Sequence, residues 1–432
     1  MKKLGIMKET KNRWERRVPM SPQAVKKLVD NGYEVVIQPS EIRVYLDEEY
    51  LRAGAELNDD LGKCDMIIGV KEIPIESLIP GKPHLFFSHT IKGQDYNMPL
   101  LQHFLDNKST LLDYEKIIDK KSRRLVFFGK FAGNAGMVDA LWAAGQRYQQ
   151  EYGIKTPFLK VKQSYQYESL EQCLTELREI GEEIEKEGLP AEICPFNICL
   201  LGYGNVSIGC QEILAAFPIT KVEPDSLAGL EINHKSNQMY LSVFKEEHLV
   251  QRKNGSKFQL SDYFVNGKEY RSKMEQYLPY CSMYMSGIYW ASGYPVFLKN
   301  SELGKLQSKQ PKLIMIGDIT CDIEGSIEAT RKVTMPDNPV FIYNPATDKL
   351  TDGFKGAGFA VCAIDNLPCE FPREASDFFS SVLEPFVPAM LDNDYSQPIV
   401  NSSLPNEMQP AVIAHLGKLE EKYQYLNKYL IR

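Results

Sequence analysis

Asn197-Ile198-Cys199-Leu200-Leu201-Gly202-Tyr203-Gly204-Asn205-Val206-Ser207-Ile208-Gly209 reads as strand, glycine turn and helix in unbroken succession. The apolar run to Leu201 predicts a buried strand, and a helix follows from Ser207 to Ala216. Between them Gly202 permits a tight turn, and Gly204 lets backbone N–H groups approach a pyrophosphate at the helix N-terminus. Ser207 stands where the usual fingerprint has its third glycine. A second strand, Ile219 to Val222, ends in Glu223, nineteen residues after Gly204. An acid at that spacing accepts hydrogen bonds from the adenosine ribose. Alone, such a glycine pattern is a tight turn; with strand, helix and acid in order it predicts a dinucleotide-binding unit.

Further along, Leu313 to Ile319 ends in Thr320-Cys321-Asp322, and Phe359 to Ile364 ends in Asp365-Asn366-Leu367-Pro368. Both put polar groups where a nicotinamide and a substrate would meet. Asp322 and Asp365 serve equally well as N-caps of following helices. Arg373 to Leu391 and Asn406 to Leu430 read as amphipathic helices returning to the first domain.

Upstream, strands and helices alternate. Leu4–Met7, Glu34–Ile37, Met66–Val70, Leu85–Phe87, Thr110–Asp113 and Leu125–Phe128 are short apolar runs. The helix over Ser21–Asn31 has Ser21 as its cap, Pro22 at its first position and Gly32 at its end. Asn134–Tyr152 predicts a long helix, and Glu168–Glu187 a solvated one. Alternation of this kind implies α/β architecture: two Rossmann-like, doubly wound parallel-sheet domains with a cleft between them. The expected boundaries are 1–135 plus about 373–432 for a substrate domain, 136–195 for linking helices, and 196–372 for the dinucleotide-binding domain.

Ligands collect at the C-terminal ends of parallel strands. Lys71 in Gly69-Val70-Lys71-Glu72-Ile73-Pro74 and His89 in Phe86-Phe87-Ser88-His89-Thr90-Ile91-Lys92 each follow an apolar run directly. An amine and an imidazole pass protons near neutral pH once burial and neighbours have tuned them, so these two are the candidate acid and base.

Composition bounds the partners. At 432 residues, 43% apolar and 25% charged, the chain is long enough for two or three globular domains. A net charge of −7 without a basic tract argues against nucleic acid or an anionic membrane surface. No apolar run spans a membrane, and Met1-Lys2-Lys3 precedes only a short strand, so the expected location is cytoplasmic. The nine cysteines show no CxxC pair or zinc spacing, so no metal is expected and they read as unpaired core thiols.

Glu15-Arg16-Arg17-Val18-Pro19-Met20-Ser21-Pro22 resembles the N-terminal signature of the alanine dehydrogenase and transhydrogenase superfamily. More narrowly, GVKEIP, FFSHTIK, LLDYEKI, RRLVFFGKFAGNAG, GYGNVS, SGIYW, IGDITCDIEGSIE and AIDNLPCEFPREASDFF, in that order, resemble the lysine-ketoglutarate reductase domain of aminoadipic semialdehyde synthases. They also resemble the fungal, lysine-forming saccharopine dehydrogenases. The resemblance spans nearly the whole chain.

It implies an NAD(P)-dependent oxidoreductase that joins lysine to 2-oxoglutarate through an imine and reduces it to saccharopine, with Lys71 and His89 as the acid–base pair. Arg17, Lys92, Gln94 and Arg124 match substrate positions that would hold three carboxylates, and Phe128 an apolar wall beside them. Thr320, Cys321 and Asp322 border the same site. Gly202, Tyr203, Gly204, Glu223, Tyr289, Ile319, Arg123 and the segment Ile364, Asp365, Asn366, Leu367 match the nucleotide side. The degradative reductases are linked with NADP and the fungal enzymes with NAD; Glu223 repels a 2′-phosphate and favours NAD. The bifunctional enzymes carry a further dehydrogenase domain beyond the region that this resemblance covers. Only the first reaction is therefore expected here, with a separate saccharopine-oxidising enzyme as pathway partner. Two other readings are an alanine dehydrogenase-like enzyme using the same Lys and His, and a nucleotide-binding regulator without turnover.

Overall fold

The structure is a computed structural model that describes residues 1–309 and 311–430. In chain order the first strands are β1 Lys3–Ile6, β2 Glu34–Ile37, β3 Glu56–Leu57, β4 Met66–Ile68, β5 Pro83–Phe86 and β6 Thr110–Asp113. There follow β7 Phe196–Leu201, β8 Ile219–Lys221, β9 Met239–Phe244, β10 Val250–Arg252, β11 Tyr270–Ser272 and β12 Met283–Ser286. The last are β13 Met315–Asp318, β14 Val340–Asn344, β15 Lys349–Asp352, β16 Phe359–Cys362, β17 Val412–His415 and β18 Lys418–Leu419. The chain divides into two compact units, Met1–Phe128 with Pro372–Arg432, and Gly129–Phe371. Among the described residues, no helix is long and apolar enough to cross a membrane.

The first unit is built on one sheet in the order β18-β17-β6-β5-β4-β1-β2-β3. From β6 to β3 every pairing is parallel. β4, β5 and β6 are buried along their whole length, which is why they read as mostly apolar runs with no alternation. Chain order reverses between β1 and β4, and a doubly wound sheet opens its crevice at such a switch point. The Ser21 hydroxyl accepts from the Ala24 amide, Pro22 is the first residue of the helix Pro22–Asp30, and Gly32 turns the chain at φ +87°.

Two expectations for this unit fail. Asn406–Leu430 is not an amphipathic helix: Val412-Ile413-Ala414 is buried as a strand against β6, and Leu416 and Gly417, at φ +48° and +79°, turn it back into β18. Two consecutive left-handed residues make a tight hairpin turn, which helical periodicity does not register. Leu125–Phe128 is not a strand either. A single bridge joins Ile118 to Arg124, and the chain then enters a helix that starts at Gly129, ahead of Asn134.

The second unit carries a sheet ordered β15-β14-β16-β13-β12-β7-β9-β8, parallel from β16 to β8, with β14 and β15 antiparallel at one edge. Strand β9 pairs with both β7 and β8, so it separates the glycine-turn strand from the strand that leads to Glu223. The helix Gly129–Tyr152 crosses the helix Asn205–Leu214 at backbone distance. A Cβ on Gly133 would lie 1.9 Å from the Val206 oxygen, and one on Gly209 1.9 Å from the Lys130 oxygen. Gly209 thus lets the two helices touch, and the buried Ser207 stands where the third fingerprint glycine would pack helix against strand.

The cysteines differ from the expectation of nine unpaired thiols. Cys199 on β7 and Cys281, just ahead of β12, are joined as a disulfide across neighbouring parallel strands, with Cα atoms 6.0 Å apart. The other seven form no disulfide.

Candidate active site

In the first unit, the C-terminal ends of β1 and β4 place Glu9 and Lys71 side by side at the switch point. Backbone pairing continues past β4 on one side only: Gly69 N–H donates to Leu85 O and Phe87 N–H to Val70 O. On the other side β1 has left the sheet after Met7, whose N–H donates to Ile68 O. The Glu9 carboxylate takes over, accepting from Val70 N at 2.6 Å and Lys71 N at 3.0 Å. Burial and the neighbouring Glu15 push the Glu9 carboxyl up to about 8 against the pull of these two amides. Burial, Arg17 and Lys11 lower Lys71 below the ordinary lysine value.

His89 is held from three directions. Its backbone is left-handed, at φ +51°, and Asn97 Nδ2 donates to its carbonyl at 3.2 Å. Its ring stacks on Phe87 with centroids 6.2 Å apart. Its Nδ1 lies 2.5 Å from Glu72 Oε1. Burial works against ionisation of Glu72, but the bond to His89, its charge and Lys11 prevail and bring the carboxyl down to about 2. A carboxylate on Nδ1 fixes the imidazole so that Nε2 is the nitrogen left for exchange. Lys71 and His89 are therefore linked through Glu72, the covalent neighbour of one and the hydrogen-bond partner of the other.

Arg17 is fully buried and gripped bidentately by the equally buried Glu15, at 2.8 Å and 2.6 Å. Its guanidinium lies 4.2 Å over the Phe128 ring, which stacks in turn on Phe379 at 4.4 Å. Four other sequence candidates lie on the surface. Lys92 and Gln94 are exposed, Gln94 accepting from the Tyr96 hydroxyl at 2.9 Å. Arg123 pairs with Asp119 at 2.7 Å, and Arg124 with Glu115 at 2.5 Å.

In the second unit, Gly202 adopts φ +92°, and a Cβ there would come within 3.1 Å of the Gly287 oxygen. Gly204 caps the helix Asn205–Leu214, and a Cβ on it would meet nothing within 4 Å. The N–H groups that open this ten-residue helix are therefore approachable over a bare backbone, as a pyrophosphate requires. The Tyr203 hydroxyl meets the Glu246 carboxylate. Because β9 adjoins β7, the residues beside the turn are Lys245 and Glu246; Glu223 follows the outer strand. Tyr289 is exposed, and Ile319 lies where a Cβ on Gly136 would touch it at 2.7 Å.

Asp318, at the end of β13, organises the segment that follows. Its carboxylate accepts from Thr320 Oγ1 at 2.6 Å, Cys321 N at 3.2 Å and Thr330 Oγ1 at 2.7 Å. Thr320 is thereby turned toward Asp318, and Cys321, at φ +55°, donates to Ala363 O. Neither Asp322 nor Asp365 caps a helix. Turns follow Asp322, and the short helix Leu367–Glu370 has Asn366 at its cap. That leaves the Asp365 amide donating to Thr334 O at 3.3 Å.

Sequence reasoning assigns no role to Glu9, Glu15, Glu72, Asp318 or Glu246. Glu72 was within reach, since an acid directly after a candidate lysine can meet a second strand end. Glu246 was not, because its place depends on β9 entering the sheet between β7 and β8.

Residues 5–135 match the family described as alanine dehydrogenase/PNT, N-terminal domain. The alpha-aminoadipic semialdehyde synthase of Arabidopsis thaliana is 38% identical over 98% of this chain and 41% of its own length. A saccharopine dehydrogenase [NAD(+), L-lysine-forming] of Yarrowia lipolytica is 27% identical over 89% of this chain and 90% of its own. The chain thus spans less than half the length of the synthases it matches. Among solved structures, an L-alanine dehydrogenase superposes with a TM-score of 0.62 at 16% identity, covering 99% of this chain and 100% of that one, a likeness of fold. The chain is homologous along nearly its whole length to aminoadipic semialdehyde synthases and lysine-forming saccharopine dehydrogenases, and its residues 5–135 match the alanine dehydrogenase/PNT N-terminal domain.

Proposed function

We propose that the chain is an NAD(P)-dependent oxidoreductase acting on a CH–NH bond, interconverting saccharopine with lysine and 2-oxoglutarate. The observation that carries this reading is the Lys71–Glu72–His89 arrangement: an amine made less basic by burial, and next to it in the chain a carboxylate that fixes the tautomer of an imidazole. Condensing an amine with a ketone demands two proton movements, one off the attacking nitrogen and one onto the departing hydroxyl. His89, through Nε2, suits the first; Lys71, as a readily surrendered ammonium, suits the second. Glu72 stabilises the imidazolium that forms. The buried Arg17–Phe128 wall limits water, and Lys92, Gln94 and Arg124 supply donors for carboxylates at the rim. In the second unit Thr320 and Cys321, arranged by Asp318, and Asp322 are the candidates for substrate contact.

A bound nicotinamide supplies the hydride. Gly202, Tyr203 and Gly204 would hold the pyrophosphate, with Ile319, Tyr289 and Ile364 to Leu367 along the remainder. The adenosine ribose falls to Glu246 in place of Glu223, because Glu246 follows the strand next to the turn. A carboxylate there accepts from both ribose hydroxyls and opposes a 2′-phosphate, so NAD(H) is the preferred partner.

The test is a spectrophotometric assay of NADH and NADPH oxidation with 2-oxoglutarate, comparing lysine with alanine and ornithine. Oxidation that depends on lysine supports the reading. Oxidation with alanine and without lysine overturns it.

A further inference from the structure

We propose that Glu9 is a positioning residue for Lys71, its carboxylate clamping the peptide from which the Lys71 side chain departs. This rests on Lys71 taking part in the chemistry as proposed above.

A parallel strand that ends at a switch point loses its partner on one side. At β4 that side faces β1, which leaves the sheet after Met7. The amides of Val70 and Lys71 would otherwise face a small cavity lined by Met7, Glu9, Lys71, Glu72 and Ile73. Two adjacent N–H groups pointing into such a space need an acceptor. Glu9 is two residues beyond Met7, and its two oxygens are spaced to take one amide each, at 2.6 Å and 3.0 Å. One side chain thereby replaces a strand, and the Lys71 Cα is fixed while its amine remains free to reorient.

The charged and titratable groups around the clamp are Lys8, Lys11, Glu15, Arg17, Lys71, Glu72 and Tyr114. They make its charge state a variable near neutral pH. As a carboxylate Glu9 accepts both amides strongly; once protonated, its hydroxyl oxygen accepts poorly and the grip on Lys71 N loosens. The clamp therefore tightens as pH rises through about 8.

The experiment compares Glu9→Gln, Glu9→Asp and Lys71→Met with the parent enzyme, measuring turnover from pH 6 to 9.5, nucleotide affinity, and amide exchange of the peptide containing Val70 and Lys71. Glu9→Gln keeps one acceptor and loses the other. Its expected kcat is about tenfold lower, with nucleotide affinity unchanged, faster exchange at Lys71, and no ionisation near pH 8 in the rate profile. Glu9→Asp keeps the charge but withdraws it by one methylene, and should also lose turnover and protection; it gives the answer if Glu9→Gln fails to fold. Parent-like turnover, profile and exchange in the folded variants overturn the proposal. If Lys71→Met keeps full turnover, the Lys71 reading fails and the clamp's catalytic purpose with it. If Lys71→Met is inactive while the Glu9 variants behave as parent, the clamp alone is wrong.

Discussion

Glu370→Gln should stabilise the protein at alkaline pH. Asp139, on the helix Gly129–Tyr152, and Glu370, at the end of the helix Leu367–Glu370, are buried carboxyls in contact with each other. Asp139 Oδ1 accepts from Ser164 N at 2.8 Å. Neither Asp139 Oδ2 nor either Glu370 oxygen has a protein donor at full hydrogen-bonding geometry. Burial pushes Asp139 up to about 6, and burial with the adjacent Asp139 pushes Glu370 well above its ordinary value. A carboxyl whose folded-state pKa is raised makes the folded protein hold protons the unfolded chain has lost, so stability falls as pH rises. For Asp139 the loss runs from about pH 4 to pH 6 and amounts to on the order of 3 kcal/mol; Glu370 extends it to higher pH. Glutamine has nearly the same volume, carries no charge, and can donate to Asp139 Oδ2. The variant should gain about 1–3 kcal/mol over the parent at pH 8 and about nothing at pH 5. For a unit of this size that is a rise of roughly 3–10 °C in Tm at pH 8. Thermal and urea melts of the full chain at both pH values provide the measurement. A variant equal to or weaker than the parent at pH 8 would show that the two acids are not an electrostatic liability.

Three further outcomes are expected. Lys71→Met and His89→Gln should each lower kcat by about a hundredfold or more while nucleotide affinity is kept; unaltered turnover in the coupled assay would remove that residue from the mechanism. Glu246→Gln should shift the ratio of NADPH to NADH use upward by about tenfold, and Glu223→Gln should leave it within about twofold, if the strand beside the glycine turn reads the ribose; the reverse pattern in steady-state kinetics would return that role to Glu223. Gly209→Ala should cost more than about 4 kcal/mol, since its Cβ would sit inside the Lys130 carbonyl; a soluble variant with parent-like melting and nucleotide binding would mean that the two helices can part cheaply.

The sequence was most legible where one local rule decides the structure. Strands buried on both faces announce themselves as apolar runs, and the Ser21–Pro22 start of a helix is written in two residues. The glycine turn is similarly local, since Gly202 needs φ +92° and Gly204 needs only to be bare. Legibility fell wherever an outcome depends on which strands become neighbours. The Cys199–Cys281 disulfide requires β7 and β12 to be adjacent, and Glu246 gains its place only because β9 separates β7 from β8. Spacing correctly finds an acid nineteen residues after Gly204, but spacing assumes that the next strand in the chain is the next strand in the sheet. Asn406–Leu430 misled for a related reason: its apolar residues satisfy a helical period, and a hairpin turn at Leu416–Gly417 overrides it.

The acids that sequence reasoning passed over share one physical cause. Glu9, Glu15, Glu72 and Asp318 each bind a partner that is adjacent in space to a strand end, and each uses a carboxylate where backbone pairing or a counterion is missing. A parallel sheet ends raggedly at its C-terminal edge, so unpaired amides, hydroxyls and cations accumulate there, and carboxylates are the side chains that satisfy several of them at once. The same edge is where a ligand must enter. It follows that the groups which make the edge stable also set the charge of the groups that would do the chemistry: Glu72 holds His89, Glu15 holds Arg17, and Glu9 holds the Lys71 backbone. Removing any of these acids should therefore disturb rate and stability together, whereas removing Lys71, which is destabilised by its own burial, should disturb rate alone.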